Sequence, residues 1–423
     1  MSKQTYYADS EITHYLVYSL FMSPTETQTH NKRVHIFSLS FTKLGDGLMD
    51  PKLVLSWLLT SLGAGVFWIG LLVPIREAGA LLPQLFTSAR LRNVLVRKWW
   101  WVVGSFVQGL AVLVIAVSAL FLQGGLAGAV IVSSLAVFAL ARSICSVSYK
   151  DVMGKTVEKS RRGRITGSAA SIAAGGVLVF GLLLLFGVFD QRLIVLGALF
   201  LAGGLWLLAA LRFATLREAV SEIAVENTES ITATYLRYLT KDTELQKFLV
   251  VRGLLTATAI APPFLLLLAR AGDTQLLTQL GGLVVASSFA TFVSGWVWGR
   301  LSDRSTSRVL GWAGFASVGF LGLALLGAYE SWYNIVWFLP AVLFGLVVSY
   351  QGVRIARSVH LVNIATEETR AAYTAISNTI IGVVLLATGL FGLLGEMAGV
   401  QSVIWVLLGM SFCGGLIGFT LKN

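Results

Sequence analysis

The chain has 423 residues, of which 56% are hydrophobic and 13% are charged, and its mean hydropathy is +0.78. Soluble domains carry nearer a quarter charged residues, so this composition excludes a soluble globular protein and indicates a polytopic membrane protein. The net charge of +11 raises the question of nucleic-acid binding, which the placement of the basic residues decides.

A helix needs about 20 apolar residues to cross a bilayer, and runs of this length recur along the chain. They predict an all-α polytopic fold with twelve spans, at residues 36–62, 66–88, 100–122, 125–147, 165–187, 193–211, 249–269, 277–298, 309–328, 333–353, 372–394 and 402–420. The first 31 residues lack the basic region and the long apolar run of a signal peptide, so we expect a loosely ordered extension there.

The longest polar interval divides the twelve spans six and six. We therefore expect a cytoplasmic N-terminal extension at 1–33, a six-helix bundle at 34–211, a cytoplasmic central loop at 212–248 and a second six-helix bundle at 249–423. Within the central loop, acidic and apolar residues alternate in a pattern that favours a surface helix. The acidic members of this pattern are Glu218, Glu222, Glu226 and Glu229.

The basic residues are distributed unequally between the two sides of the membrane. When Arg142 and Arg252 are counted with the connections that adjoin their spans, 27 of the 32 Lys and Arg residues fall on one side and two fall on the other, and Lys43, Lys52 and Arg76 lie within spans. This is the positive-inside pattern, so both termini are predicted to be cytoplasmic. The excess of basic residues is therefore explained by the orientation of the chain in the membrane. We expect contacts with anionic membrane lipids and no nucleic-acid partner.

Short sequence matches relate the two halves. Ser148 and Tyr149, which leave the fourth span, match Ser349 and Tyr350, which leave the tenth, and two further matches occur in the same order at similar offsets. Such matches indicate a duplicated six-helix unit, and transporters built from repeats place a substrate site at the interface of their halves. Chance similarity between apolar segments is the alternative.

The connection after the eighth span carries a recognisable motif. Residues 299–308 read G-R-L-S-D-R-S-T-S-R, which resembles the G-x-x-x-D-R-x-x-x-R/K loop signature of the major facilitator superfamily (MFS). The twelve spans in two repeated halves also resemble that family's plan. The resemblance implies an MFS-like fold, secondary transport and a conformational latch formed by Gly299, Asp303, Arg304 and Arg308, with Asp303 facing a helix end or paired with Arg304. A solvated basic turn is the alternative.

The first two spans contain ionisable residues that a bilayer does not accept without partners or water. A charge at the centre of a membrane helix costs about 2.5–3.5 kcal/mol. Asp50 and Arg76 fall near the midpoints of adjacent antiparallel spans, so a buried ion pair between them is the favoured geometry, and Lys43, Asp46 and Asp50 would share one helix face. The predicted substrate or coupling residues here are Lys43, Asp46, Asp50, Lys52, Arg76 and Glu77.

The backbone of the first span is weakened at the same place. Gly45, Gly47 and Pro51 disfavour a continuous helix, and transporters use broken helices to aim helix ends at ions or substrates. Asp46 or Asp50 could carry a coupling proton; the alternative is a static network that holds the two spans together.

The second half is predicted to contribute polar groups to the same cavity. Tyr350, Gln351 and Asn378 could supply hydrogen bonds across it, although packing between helices is the alternative for such side chains.

Together these features favour a secondary active transporter that moves a small organic solute by alternating access, with a proton as the expected coupling ion. A lipid scramblase on the same fold and an intramembrane transferase are the competing functions. The four histidines are scattered, and no phosphate-binding glycine loop or metal-spaced ligand set is present, so no enzyme activity, cofactor or metal is expected. We expect a monomer in the plasma membrane, which is the inner membrane in a bacterium.

Overall fold

A computed structural model of the chain describes residues 24–92, 94–187, 189–220, 238–270, 280–366 and 369–422. The helices of the first half are α1 Pro24–Leu48, α2 Val54–Ser61, α3 Val66–Leu81, α4 Gln84–Arg92, α5 Lys98–Phe121, α6 Gly124–Thr156, α7 Lys159–Leu185 and α8 Gln191–Ala214. Those of the second half are α9 Thr243–Leu254, α10 Ala257–Arg270, α11 Leu280–Arg304, α12 Thr306–Tyr329, α13 Phe338–Ile364, α14 Arg370–Thr388, α15 Leu390–Ala398 and α16 Val400–Gly418.

Within the described residues, eleven helical segments are long and apolar enough to cross a membrane. The predicted first span is not among them, because it is broken into α1, which is polar, and α2, which has eight residues. It turns back into α3 at Gly63, whose φ of 74° suits glycine at the tight turn. With this broken segment the described chain contains the twelve predicted helical segments, and the predicted all-α fold class is confirmed.

The helices pack into two bundles that contact each other along two seams. In the first half α1 packs on α7 and α8, α5 packs on α6 and α8, and α3 lies along α6. In the second half α13 packs on α11 and α12, and α16 packs on α10 and α12. Between the halves, α7 contacts α11, and α3 contacts α14 and α15.

We define two ends of this assembly. The basic face carries the start of α1 and the connections from α6 to α7 and from α11 to α12. The opposite face carries the α2–α3, α7–α8 and α15–α16 connections. Near the opposite face the halves approach at backbone distance: a Cβ placed on Gly70 of α3 would lie 2.5 Å from Cα of Gly392 of α15, and one on Gly281 of α11 would meet the backbone of Leu185 of α7. We call these two contacts the glycine seal.

The seal does not continue along α7 and α11. A Cβ placed on Gly163 or Gly167 near the basic end of α7, or on Gly295 or Gly299 near the basic end of α11, would meet nothing within 4 Å. Helices α7 and α11 therefore approach each other closely near the opposite face.

The structure differs from the sequence prediction at the basic face. Helix α1 begins at Pro24, within the predicted loose extension, and Asn31 is buried there, exchanging hydrogen bonds with the backbone of Arg217 at 2.9 and 3.0 Å. Residues 216–220 are not helical.

Glu218 is buried instead of lying on a surface helix. Its carboxylate accepts a hydrogen bond from the backbone N–H of Lys98 at 2.6 Å and pairs with Lys155 at 3.3 Å. The predicted exposure of Glu218 was therefore wrong, because its carboxylate satisfies the start of α5. Glu222, Glu226 and Glu229 lie outside the described residues.

The two halves repeat local features. Ser148 of α6 and Ser349 of α13 are both fully buried, and each donates a hydrogen bond of 2.9 Å to the carbonyl four residues earlier. The first span of each half is also interrupted, at residues 49–53 between α1 and α2 and at 255–256 between α9 and α10. These correspondences agree with the predicted pseudo-symmetry of two six-helix units.

Candidate functional site

A cavity of about 280 Å³ lies between the halves, bounded by the break in the first span, α3, α11 and α13. Seven of the nine predicted substrate or coupling residues line it: Asp46, Asp50, Lys52, Arg76, Glu77, Tyr350 and Gln351. Met49, Pro51, Val73, Ser287, Thr291, Val347 and Arg354 complete the lining. Tertiary packing thus brings the charged residues of the first half against polar residues of the second.

Asp46 is the centre of the ion pairs. Its Oδ1 lies 3.0 Å from Nη2 of Arg76, and its Oδ2 lies 2.5 Å from Nη2 of Arg142 on α6. Arg76 also lies over the ring of Phe138, 5.0 Å from its centroid. One carboxylate therefore links the first span to two neighbouring helices.

The predicted ion pair between Asp50 and Arg76 was wrong in its acidic partner, since Arg76 pairs with Asp46. The physical reason is that α1 ends at Leu48. Beyond that residue the helical spacing no longer applies, so Asp50 does not continue the face that Lys43 and Asp46 occupy.

Asp50 has a different task in the structure. Its Oδ1 accepts hydrogen bonds from the backbone N–H groups of Lys52 at 2.8 Å and Leu53 at 3.0 Å. These groups precede α2 and have no partner within a helix, and a side-chain acceptor that satisfies them acts as a cap. The carboxylate of Asp50 therefore stabilises the break that Pro51 and the neighbouring glycines predict.

Two polar side chains of α13 make specific contacts at the cavity. The Nζ of Lys52 lies 3.5 Å from the ring centroid of Tyr350, a cation–π contact that spans the two halves. Gln351 donates a hydrogen bond of 3.0 Å to Thr291 of α11. Tyr350 thus contacts the first span across the interface of the halves, whereas Gln351 is hydrogen-bonded to a helix of its own half.

Lys43 and Asn378 do not line the cavity. Lys43 is half-buried on α1, with Asp46, Arg142 and Arg354 as its charged neighbours. Asn378 accepts a hydrogen bond of 3.1 Å from the buried Arg252 and donates one of 3.1 Å to Gln84 of α4. Asn378 therefore links the two halves beside the cavity.

The sequence interpretation missed two arginines at this site. Arg142 was counted with the connection after the predicted fourth span, 125–147, although it lies inside that span, and Arg354 lies one residue beyond the predicted tenth span, which ended at 353. In the structure α6 runs to Thr156 and α13 runs to Ile364, which places both arginines on helices that face the cavity region. An arginine within an apolar run, as at Arg142, is the signal that could have found it.

The motif residues of the predicted latch lie at the basic face. Gly299, Asp303 and Arg304 belong to the end of α11, and Arg308 belongs to the first turn of α12, which is capped by Ser305 at 3.3 Å. The side chains of Asp303, Arg304 and Arg308 are exposed. Within the described part of the chain, Asp303 forms no ion pair with Arg304. The latch stays a prediction.

Among the residues that the structure describes, no group of three or more His, Cys, Asp and Glu side chains could hold a metal ion. The charged and polar side chains that line the cavity can bind a solute and compensate its charge.

Comparisons with known proteins identify the fold. No family model and no curated protein matches the sequence. Among solved structures, two of the nucleoside transporter NupG match with TM-scores of 0.71 and 0.67 at 14% and 13% identity, covering 93% and 92% of this chain and 100% and 99% of theirs; the first is an aspartate-to-alanine mutant.

A POT family transporter in complex with a thioalcohol-conjugated peptide matches with a TM-score of 0.68 at 10% identity, covering 91% of this chain and 94% of its own. The chain therefore has the twelve-helix fold of the major facilitator superfamily, as the loop motif and the repeat predicted. Identities this low establish the fold alone.

Proposed function

We propose that the chain is a secondary transporter that moves a small organic solute by alternating access around the cavity between its halves. The observation that carries the proposal is a charged cavity at the interface of two repeated bundles, with the glycine seal at one end. The similar structures, which are those of a nucleoside transporter and a POT family transporter, support the same class. Repeat-built transporters hold their substrates at such an interface.

Orientation follows from the basic residues. Moving Arg142, Arg252 and Arg354 from the connections into the helices that contain them removes three residues from the predicted basic side, which leaves its large excess in place. By the positive-inside rule the basic face is cytoplasmic, as are both termini. The glycine seal then lies toward the outside, and the cavity faces the cytoplasm.

Glu77 is our candidate for the coupling carboxylate. Asp46 is held by two arginines, and Oδ1 of Asp50 caps the start of α2. Glu77 lines the cavity, and the described residues give its carboxylate no ion pair or hydrogen bond. Glu77 can take up a proton without breaking an ion pair or hydrogen bond, whereas protonating Asp46 would leave two arginines without a charge partner.

Alternating access can be tested without knowing the solute. In a background where Cys145 and Cys413 are replaced by alanine, Thr291→Cys reports on the cavity. We expect a membrane-impermeant maleimide to label it from the cytoplasmic side. The double variant Val66→Cys and Gly395→Cys brings two thiols together across α3 and α15, since a Cβ on Gly395 would lie 2.8 Å from Val66. Oxidation should then abolish labelling from the outside while sparing labelling from the cytoplasm.

Equal labelling from both sides, before and after cross-linking, would contradict alternating access. Sealed vesicles containing the purified protein separate the competing functions. Gradient-driven accumulation of a solute supports transport, and lipid exchange without solute flux supports a scramblase. Coupling through Glu77 predicts that Glu77→Gln removes the pH dependence of flux.

A further inference from the structure

The cavity region holds more positive than negative charge. Its carboxylates are those of Asp46, Asp50 and Glu77. The cations that have one of these carboxylates as a charged neighbour are Lys43, Lys52, Arg76, Arg142, Arg354 and Arg357. Six cations therefore surround three carboxylates at the interface of the halves.

Ion pairs within the protein do not neutralise this excess of positive charge. The two oxygens of Asp46 are taken by Arg76 and Arg142. Within the described residues, the side chains of Lys43, Arg354 and Arg357 form no ion pair or hydrogen bond, although Asp46 and Glu77 are among their charged neighbours. The surplus thus consists of cations that no carboxylate of the described residues holds in an ion pair.

Arg354 is the surplus cation best placed to contact a solute. It lines the cavity from α13, and its residue is exposed. Lys43 and Glu77, which come from the other half, both have Arg354 among their charged neighbours. Like charges held close together repel each other, and a bound anion would relieve this cost. A guanidinium matches the geometry of a carboxylate or a phosphate through two parallel hydrogen bonds.

We infer that the transported solute is a small organic anion whose carboxylate or phosphate binds Arg354 in the cavity, with the positive charge of Lys43 nearby. This inference rests on the proposed transport function. The cavity volume of about 280 Å³ lies near the lower end of ligand pockets, roughly 300–1,000 Å³, which suits a small metabolite better than a drug-sized molecule. The ring of Tyr350, already in contact with Lys52, offers an apolar surface for the rest of the solute.

Thermal unfolding of the purified full-length protein in detergent tests the inference with matched probes. The pairs are succinamide and succinate, glycerol and glycerol 3-phosphate, and uridine and uridine 5′-monophosphate, at constant ionic strength. We expect the anionic member of at least one pair to raise Tm and its neutral partner to leave Tm unchanged. The three pairs separate carboxylate from phosphate recognition.

Arg354→Gln provides the second readout. It should weaken binding of the stabilising anion about tenfold or more, as expected when a charged hydrogen-bond partner is removed. In the absence of any probe it should raise Tm, because it removes one of the mutually repelling cations. Arg164→Gln, which removes an exposed arginine from the basic end of α7, is the matched control and should change neither value.

Three results would overturn the inference: neutral probes that stabilise as well as their anionic partners, no stabilisation by any anion of the panel, or an anion effect that persists in Arg354→Gln. Flux assays in vesicles keep this failure distinct from failure of the proposed function. An anion that binds through Arg354 without being transported contradicts transport alone. Transport of a neutral solute with no anion binding contradicts the anion inference alone.

Discussion

The first span of each half is interrupted at corresponding positions, and the two interruptions are stabilised differently. Between α1 and α2, the carboxylate of Asp50 caps the new helix start, and the break opens onto the charged cavity. Between α9 and α10, buried hydroxyls complete the backbone: Thr256 donates to the carbonyl of Gly253 at 2.6 Å, and Thr258 donates to that of Leu255 at 2.8 Å.

This difference shows that a broken helix is not in itself a binding feature. Both breaks leave backbone groups that must find partners in a medium without water. Neutral hydroxyls satisfy them in the second half, where the surrounding residues are buried. Charged groups surround the break in the first half, which opens onto the cavity. The side chains therefore distinguish two similar backbone breaks, and only the first has the charged surroundings on which the proposed function rests.

The largest effect is expected from Asp46→Asn in the first half. It leaves Arg76 and Arg142 without their shared charge partner, which should cost about 2–3 kcal/mol of stability and remove most transport. Thermal unfolding and flux per folded molecule in vesicles measure the two effects. Asp190→Asn is the control, because Asp190 is an exposed cap of α8 and an amide oxygen can replace its carboxylate. If Asp46→Asn had the same stability and flux as the unaltered chain, the charged groups at the break would be dispensable.

A smaller effect is expected from Arg252→Gln, just before the break of the second half. Arg252 is buried and donates hydrogen bonds to Ser377 and Asn378 of α14. Losing these bonds should lower stability by about 1–3 kcal/mol, while flux per folded molecule is retained. Lys247→Gln, an exposed cation on the same helix, should leave both unchanged. If Arg252→Gln lost all flux at unchanged stability, the proposed difference between the two halves would be contradicted, because both interruptions would then serve transport.

The smallest effect is expected at Asp50, where two substitutions separate capping from charge. Asp50→Ala removes the acceptor for the N–H groups that precede α2 and should cost about 1 kcal/mol. Asp50→Asn keeps an oxygen in the same place, so stability and the pH dependence of flux should both be retained. Chemical unfolding and flux measured across pH test this pair. Equal destabilisation by the two substitutions would contradict the capping role.

The sequence predicts much of the fold, because each step rests on local information. Apolar run length locates the spans, Gly63 marks the turn into α3, and Pro51 with its flanking glycines marks the break. The motif at 299–308 and the repeated residues then indicate the two-bundle fold that the similar structures share.

The cavity is only partly predictable, because its ion pairs join distant helices. Charge alone identifies Asp46 and Arg76 as residues that need partners, but choosing between Asp46 and Asp50 requires knowing that α1 ends at Leu48. Arg142 lies 96 residues from Asp46 along the chain, and no spacing rule connects them. Arg354 was missed because the helix that carries it extends beyond its apolar run.

The glycine seal has a consequence for the rate of the conformational cycle. Where Gly70 meets Gly392, backbone lies against backbone, and the ring of Phe264 is the next nearest group. In the proposed transport cycle these two glycines can separate without any change of rotamer of their own. An alanine at either position would place a methyl group between the two backbones and prevent this end of the cavity from closing fully.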